Sequence, residues 1–182
     1  MNAPREKLDS FLLQKNISPV EAFHFFDSLE SVEIPFLKGL WQGKEFPAAH
    51  PFGGLLPKVN WYGKEFITPQ IVHPLVMEKK NKERYFLNPV FIPFHLPIEK
   101  IPHFLLVPVF KFVSPLMKTN APKARLGTLE YRGKLSAAMI YDHHGINDIF
   151  RKVDENTVLG VMETRNPKKS GYFFVLERNP FS

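Results

Sequence analysis

Gly39-Leu40-Trp41-Gln42-Gly43 is the stretch on which the reading of this chain turns. Glycine, tryptophan and glycine at alternate positions fall on one face of an extended strand, because strand side chains alternate with a period of two. One large ring then sits between two bare backbone positions, a spacing that lets an indole lie flat against a crossing chain. The pentapeptide predicts a closed β architecture and carries no reactive group of its own.

Working outward, Ile34 to Trp41 reads as a first strand, followed by a loop rich in proline and glycine through Pro47, Pro51, Gly53, Gly54 and Pro57. Asn60 to Ile67 and Ile71 to Met77 read as further extended pieces. Upstream, Ser18-Pro19-Val20-Glu21 forms a capping box with proline at the first helical position. It predicts a helix from Pro19 to Leu29 with Val20, Phe23, Phe26 and Leu29 on one stripe. A shorter amphipathic helix is expected around Leu8, Phe11 and Leu12, within residues 5–15.

Between Asn88 and Pro122, prolines recur at 89, 93, 97, 102, 108, 115 and 122. That frequency argues against a central strand or a long helix and predicts edge strands and loops folded over the core. The last third is regular. Ala124 to Tyr131 and Leu135 to Tyr141 flank the hairpin turn at Arg132-Gly133-Lys134. Ile146 to Val153 and Thr157 to Glu163 flank Asp154-Glu155-Asn156. The stretch Asn166 to Gly171 then turns into Tyr172 to Arg178. With the earlier pieces the count reaches eight to ten, enough to close into a barrel.

The expected fold is mainly β, a closed or nearly closed antiparallel barrel of about 8–10 strands with one or two N-terminal helices. A chain of 182 residues fits one domain. Its expected parts are a helical segment at about 5–30, the pentapeptide-containing part at about 31–80, a proline-rich middle at about 81–122 and a meander at about 123–180.

Composition narrows the function. The absence of cysteine excludes disulfides, thiolate metal sites and cysteine nucleophiles. The net charge of +6 is scattered, and the densest cluster, Glu78 to Arg84, reads as a solvated hairpin tip, so nucleic acid is not an expected partner. The N-terminus has no apolar signal core, and the most apolar run, Phe104 to Phe110, is too short for a membrane helix and contains Pro108. A soluble cytoplasmic protein without stable membrane insertion is expected.

Gly39, Trp41 and Gly43 resemble the motif that gives the GXWXG protein family its name, and the C-terminal strands resemble the companion domain of unknown function that its members carry. Ala137 to Asp142, Asp148 to Asp154, Thr157 to Met162 and Phe173 to Arg178 carry that second likeness. The resemblance implies no established activity. Where relatives have a proline after the tyrosine-aspartate pair, this chain has His143-His144-Gly145. A looser likeness is to the calycins, the lipocalin and fatty-acid-binding group. It implies that Trp41 closes the barrel base and that Arg178, at the end of the last strand, packs on its ring. Haem barrels with a similar motif place a histidine on a late strand, and Tyr172 to Arg178 has none, so no haem or other cofactor is expected.

Tyr141, Asp142, His143, His144 and Asp148 form the densest titratable group. Asp142, His143 and His144 are the candidate catalytic residues, against a plain reading as a turn with solvated histidines; two histidines and a carboxylate can also hold a metal, but no metal site is assigned. Arg151 with Asp148 or Asp154 reads as an ion pair at the surface or barrel mouth. His50 and His73 read as hydrogen-bonded histidines near the core. Phe91, Phe94, Phe104, Phe110 and Phe112 read as core or as pocket lining. Trp61, Tyr141, Arg151 and Phe174 are the expected ligand contacts.

The expected function is binding of a small apolar ligand, a fatty acid or similar lipophilic molecule, inside the barrel. One alternative is a small isomerase or hydrolase using an Asp/His acid-base pair. Another is a protein interaction module. No nucleophile elbow, phosphate loop or metal-spaced histidine pair supports the enzyme.

Overall fold

The computed structural model describes residues 3–92, 101–166 and 171–178. Two N-terminal helices, α1 (Ala3–Leu12) and α2 (Pro19–Ser28), precede the sheet. Both capping-box hydrogen bonds form at the start of α2: the Glu21 amide donates to the Ser18 hydroxyl, and the Ser18 amide donates to the Glu21 carboxylate. Val20 departs from the expected stripe and is 66% exposed, whereas Ala22, Phe25, Phe26 and Leu29 are buried.

The strands are β1 (Glu30–Ser31), β2 (Gly39–Glu45), β3 (Trp61–Thr68), β4 (Ile71–Glu78), β5 (Arg84–Phe86), β6 (Ala124–Tyr131), β7 (Lys134–Tyr141), β8 (Ile146–Asp154), β9 (Thr157–Thr164) and β10 (Tyr172–Arg178). Eight of them close a ring in the order β8-β7-β6-β4-β3-β2-β10-β9, with β9 returning to β8. All pairings are antiparallel, and β1 and β5 add short flanking pairs to β8 and β4. The predicted strand from Ile34 begins late. Ile34–Leu37 forms a 3-10 turn because Pro35 cannot donate to a ladder, and the strand opens at Gly39, whose φ of +117° suits glycine.

Two hairpins form at the turns the sequence marks. Arg132 and Gly133 both take positive φ between β6 and β7, and Glu155-Asn156 joins β8 to β9. Part of the expected Asn166–Gly171 turn lies outside the described residues. The charged Glu78–Arg84 stretch is a solvated hairpin, with Lys79 paired to Glu83 at 2.7 Å and Lys82 to Glu78 at 2.9 Å.

The wall β8–β9–β10 is buried on both faces. Tyr172, Phe174 and Leu176 point inward with Val158, Met162, Ile146 and Phe150, while Phe173, Val175, Leu159, Val161 and Ile149 point outward beneath α1 and α2. This explains why these strands read as nearly continuous apolar runs.

The β4–β6 seam is the thin place in the ring, joined in register only at Val72 and Ala124. The chain between these strands runs from residue 79 to residue 123. Against expectation, this proline-rich middle contains a helix, α3 (His103–Val113), which tolerates Pro108 in its interior although no residue of it is fully buried. Its apolar face, Val107, Phe110 and Val113, packs against Val59, Met77, Leu87 and Met117, and that tertiary gain offsets the missing backbone bond. Phe104 and Phe112 are exposed rather than core, and Phe94 lies outside the described residues. Among the described residues no helix is long and apolar enough to cross a membrane.

Candidate functional site

The two ends of the barrel differ. At one end Trp41 is fully buried and its indole N–H donates to the Leu37 carbonyl at 2.7 Å. The Arg178 guanidinium lies 4.6 Å from the Trp41 ring centroid and donates to the carbonyls of Phe36, Lys38 and Glu155, so the last strand seals this end as expected. The two motif glycines serve different purposes. A Cβ on Gly43 would meet the Trp61 indole at 2.1 Å, so this glycine makes room for a second tryptophan, while Gly39 has open space around it and supplies a backbone turn.

Above this base, inward side chains fill the interior through Phe66 and Phe150, whose rings meet at 5.8 Å. The next layer is polar. Lys64 on β3 and Asp148 on β8 form an ion pair at 2.8 Å, with side chains only 4% and 2% exposed. Three strands separate β3 from β8 in either direction around the ring, so the pair spans opposite walls. Lys64 also donates to the Pro74 carbonyl at 3.3 Å, and its Nζ lies 5.0 Å from the Phe174 ring and 5.8 Å from those of Trp61 and Tyr141. Burial raises the Asp148 carboxyl above its ordinary range, partly countered by the Lys64 charge and by hydrogen bonding to Lys64 and Tyr141. Burial, followed by the neighbouring Asp148 charge, pushes the Tyr141 phenol well up, so it stays a neutral donor.

This layer borders a cavity of about 350 Å³, within the range of ligand pockets, roughly 300–1,000 Å³. Its walls are apolar: Leu75 and Met77 from β4, Phe174 from β10, Met162 from β9, and Leu106, Phe110 and Val113 from α3. Lys64 and Asp148 are the only charged residues among those described as lining it. Phe91 and Val109, each more than half exposed, mark the side on which it reaches the surface. The Trp61 indole N–H, on the cavity wall, is buried without a hydrogen-bond partner among the described residues.

The residues singled out from sequence distribute unevenly. Trp61, Tyr141 and Phe174 line the cavity. Arg151 does not: it is wholly buried on the outer face, under α2, where its guanidinium lies 5.0 Å from the Phe26 ring and donates to the Tyr131 carbonyl at 2.9 Å. It forms no ion pair with Asp148, since residues 148 and 151 lie on opposite faces of β8. Asp142 pairs with Arg125 at 3.3 Å, and a ring nitrogen of His144 meets the Pro89 carbonyl at 2.8 Å. Asp142, His143 and His144 lie in the β7–β8 connection, and none lines the cavity.

Sequence reading passed over Lys64 and did not pair it with Asp148. The signal was there: Lys64 shares strand parity with Phe66, and Asp148 with Ile146 and Phe150, so each interrupts an apolar face with a charge.

His50 is hydrogen-bonded as expected, accepting from the Phe52 amide at Nδ1. His73 departs from that pattern. It is buried on β4, stacked on Phe86 with ring centroids 3.7 Å apart, and its Nδ1 has no hydrogen-bond partner among the described residues. Burial lowers its pKa, so the fold holds the neutral ring. The unfolded chain then takes up this proton first, and the stability contribution is complete above the unfolded value of about 6.5 and declines as pH falls through it toward the folded value. Urea denaturation as a function of pH is expected to show that decline in the natural protein and a shallower one in His73→Phe. Identical slopes would remove His73 as its source.

A ring of eight antiparallel strands, sealed at one end by tryptophan and arginine and hollow at the other, defines a calycin-like barrel. A family model described as GXWXG protein matches residues 24–82, and one described as a domain of unknown function (DUF4334) matches residues 122–178. The two matches bear out the likeness carried by Gly39, Trp41 and Gly43 and by the C-terminal strands. The first stretch supplies β2 to β4 and the second β6 to β10, so the ring draws on both. A crystal structure of a protein from Thermomonospora curvata has the same fold, with a TM-score of 0.70 and 26% identity over 97% of this chain and 98% of that one. A search of curated proteins gives no match.

Proposed function

We propose that the barrel binds one small apolar molecule in this cavity, its chain against the apolar walls and an uncharged oxygen at the Lys64–Asp148–Tyr141 layer. The observation that carries the reading is an apolar cavity whose only charged border among the described residues is one internally neutral pair. Burying ten methylene groups there is worth roughly 8 kcal/mol before the costs of association. A carboxylate set against the pair brings a net negative charge into an apolar site, which burial opposes. An alcohol, ester or carbonyl can accept a hydrogen bond from Lys64 or Trp61 without that penalty. Among fatty-acid-like molecules the neutral derivatives therefore fit better than the acids.

The exposed side of the site is formed by α3, which lacks a fully buried residue and carries a proline at its centre. Such an element is drawn from the low-stability end of a fold and is suited to opening for ligand entry. The acid-base capacity within the cavity belongs to Lys64, Asp148 and Tyr141, whereas an enzymatic reading built on Asp142, His143 and His144 uses residues that do not line it.

Displacement of an environment-sensitive fluorescent lipid probe tests the proposal. Decanol and methyl decanoate are expected to compete saturably and more strongly than decanoate. Alanine at Asp142, His143 and His144 is expected to leave affinity within a few fold, because these residues lie outside the cavity. Absence of displaceable binding by any of the three ligands would remove the reading.

A further inference from the structure

We propose that Lys64 is a covalent capture site for apolar aldehydes, forming a reversible imine with a carbonyl group held at the floor of the cavity and using Asp148 as its proton partner and counterion. The proposal rests on the cavity-binding reading above and gives it a ligand class.

Three observations carry it. Lys64 is 3% exposed, yet it borders the cavity, so its amine faces a space in which an apolar molecule fits and surface water is scarce. The Asp148 carboxylate is 2.8 Å from the amine, within reach to accept its proton. Aromatic rings of Trp61, Tyr141 and Phe174 surround the Nζ within 5.8 Å, so the position suits a cationic nitrogen whether it is an ammonium or an iminium. A plain structural ion pair needs only the second of these. The first makes the pair accessible to a ligand and the third keeps the product ion stabilised.

The chemistry balances without an outside reagent. Asp148 takes one proton from the Lys64 ammonium, and the freed amine lone pair attacks the aldehyde carbon while the carbonyl π bond opens to oxygen. Proton transfer gives a neutral carbinolamine. Asp148 returns its proton to the departing hydroxyl, water leaves, and the nitrogen lone pair forms the C=N bond. The sum is aldehyde plus ammonium giving iminium plus water, with one positive charge beside one carboxylate before and after. Burial raises the Asp148 carboxyl, which favours its serving as acid in the dehydration step. Low water in an apolar site slows the reverse hydrolysis. Lysine amines in desolvated pockets are established nucleophiles toward carbonyls.

Decanal with sodium cyanoborohydride tests the proposal, because reduction converts the imine to a stable secondary amine. Intact mass is expected to show one decyl group added at low aldehyde excess, and peptide mapping is expected to place it on Lys64, at least ~10-fold faster than on any surface lysine, a ratio equivalent to 1.36 kcal/mol of barrier. Decanol is expected to suppress it by competition. Lys64→Arg keeps a cation opposite Asp148 but forms no such imine, so the decyl label at this position is expected to vanish. Asp148→Asn, its fold checked by circular dichroism, is expected to slow capture by about tenfold or more. Saturable decanol binding together with label spread over surface lysines and none favoured at Lys64 would overturn covalent capture alone. Loss of both decanol binding and Lys64 labelling would overturn the cavity reading with it. Undiminished capture in Asp148→Asn would remove the carboxylate's part.

Discussion

Asp148→Ala is expected to destabilise the fold by about 3–5 kcal/mol, because it strands the Lys64 ammonium in an apolar interior with no carboxylate opposite. The same position with both charges removed, Lys64→Met with Asp148→Leu, is expected to recover most of that loss, since two well-packed apolar groups of similar volume often match or exceed a buried ion pair. Urea denaturation of the two single variants and the double variant measures the coupling directly. A single variant within about 0.5 kcal/mol of the natural protein would mean that solvent already reaches the pair. The contrast matters for function. If the double variant is as stable as the natural protein, stability does not explain the presence of a charge pair on the cavity floor, and a role toward a ligand does.

Trp41→Ala is expected to cost about 3–5 kcal/mol, in line with truncation of large core residues. The loss has three parts: the indole volume, the hydrogen bond to Leu37, and the surface on which Arg178 rests. Arg178 holds the carbonyls of Phe36, Lys38 and Glu155 together at the barrel base, so the variant also loosens the joint between β2, β10 and the β8–β9 turn. Differential scanning calorimetry checks this, and unchanged thermal stability would contradict the buried geometry. The hollow end lies beyond the Phe66–Phe150 layer and is expected to keep its ligand preference if the variant folds.

The sequence by itself determined the features set by local chemistry and by alternation along one strand. The Ser18–Glu21 cap, the Arg132-Gly133 turn and the meander from β6 to β10 follow from residue types at short spacing, and the Trp41–Arg178 seal from the likeness to the calycins. Even there, neighbours altered details. Gly43 proved to make room for Trp61, which lies across the β2–β3 boundary and not beside Trp41 on its own strand.

Only the tertiary structure decided the site. Lys64 and Asp148 are 84 positions apart on walls that never pair, and closure of the ring alone brings them to 2.8 Å. Their neighbours Arg151, Asp142, His143 and His144 had the stronger local appearance of chemistry, yet strand parity sends Arg151 outward and the β7–β8 connection carries the others away from the cavity. Helix α3 was equally hidden, because proline at 108 argues against a helix locally, while burial of one apolar face against the barrel favours it by more. Each of these turns on burial, and burial depends on which distant segments arrive at the same place.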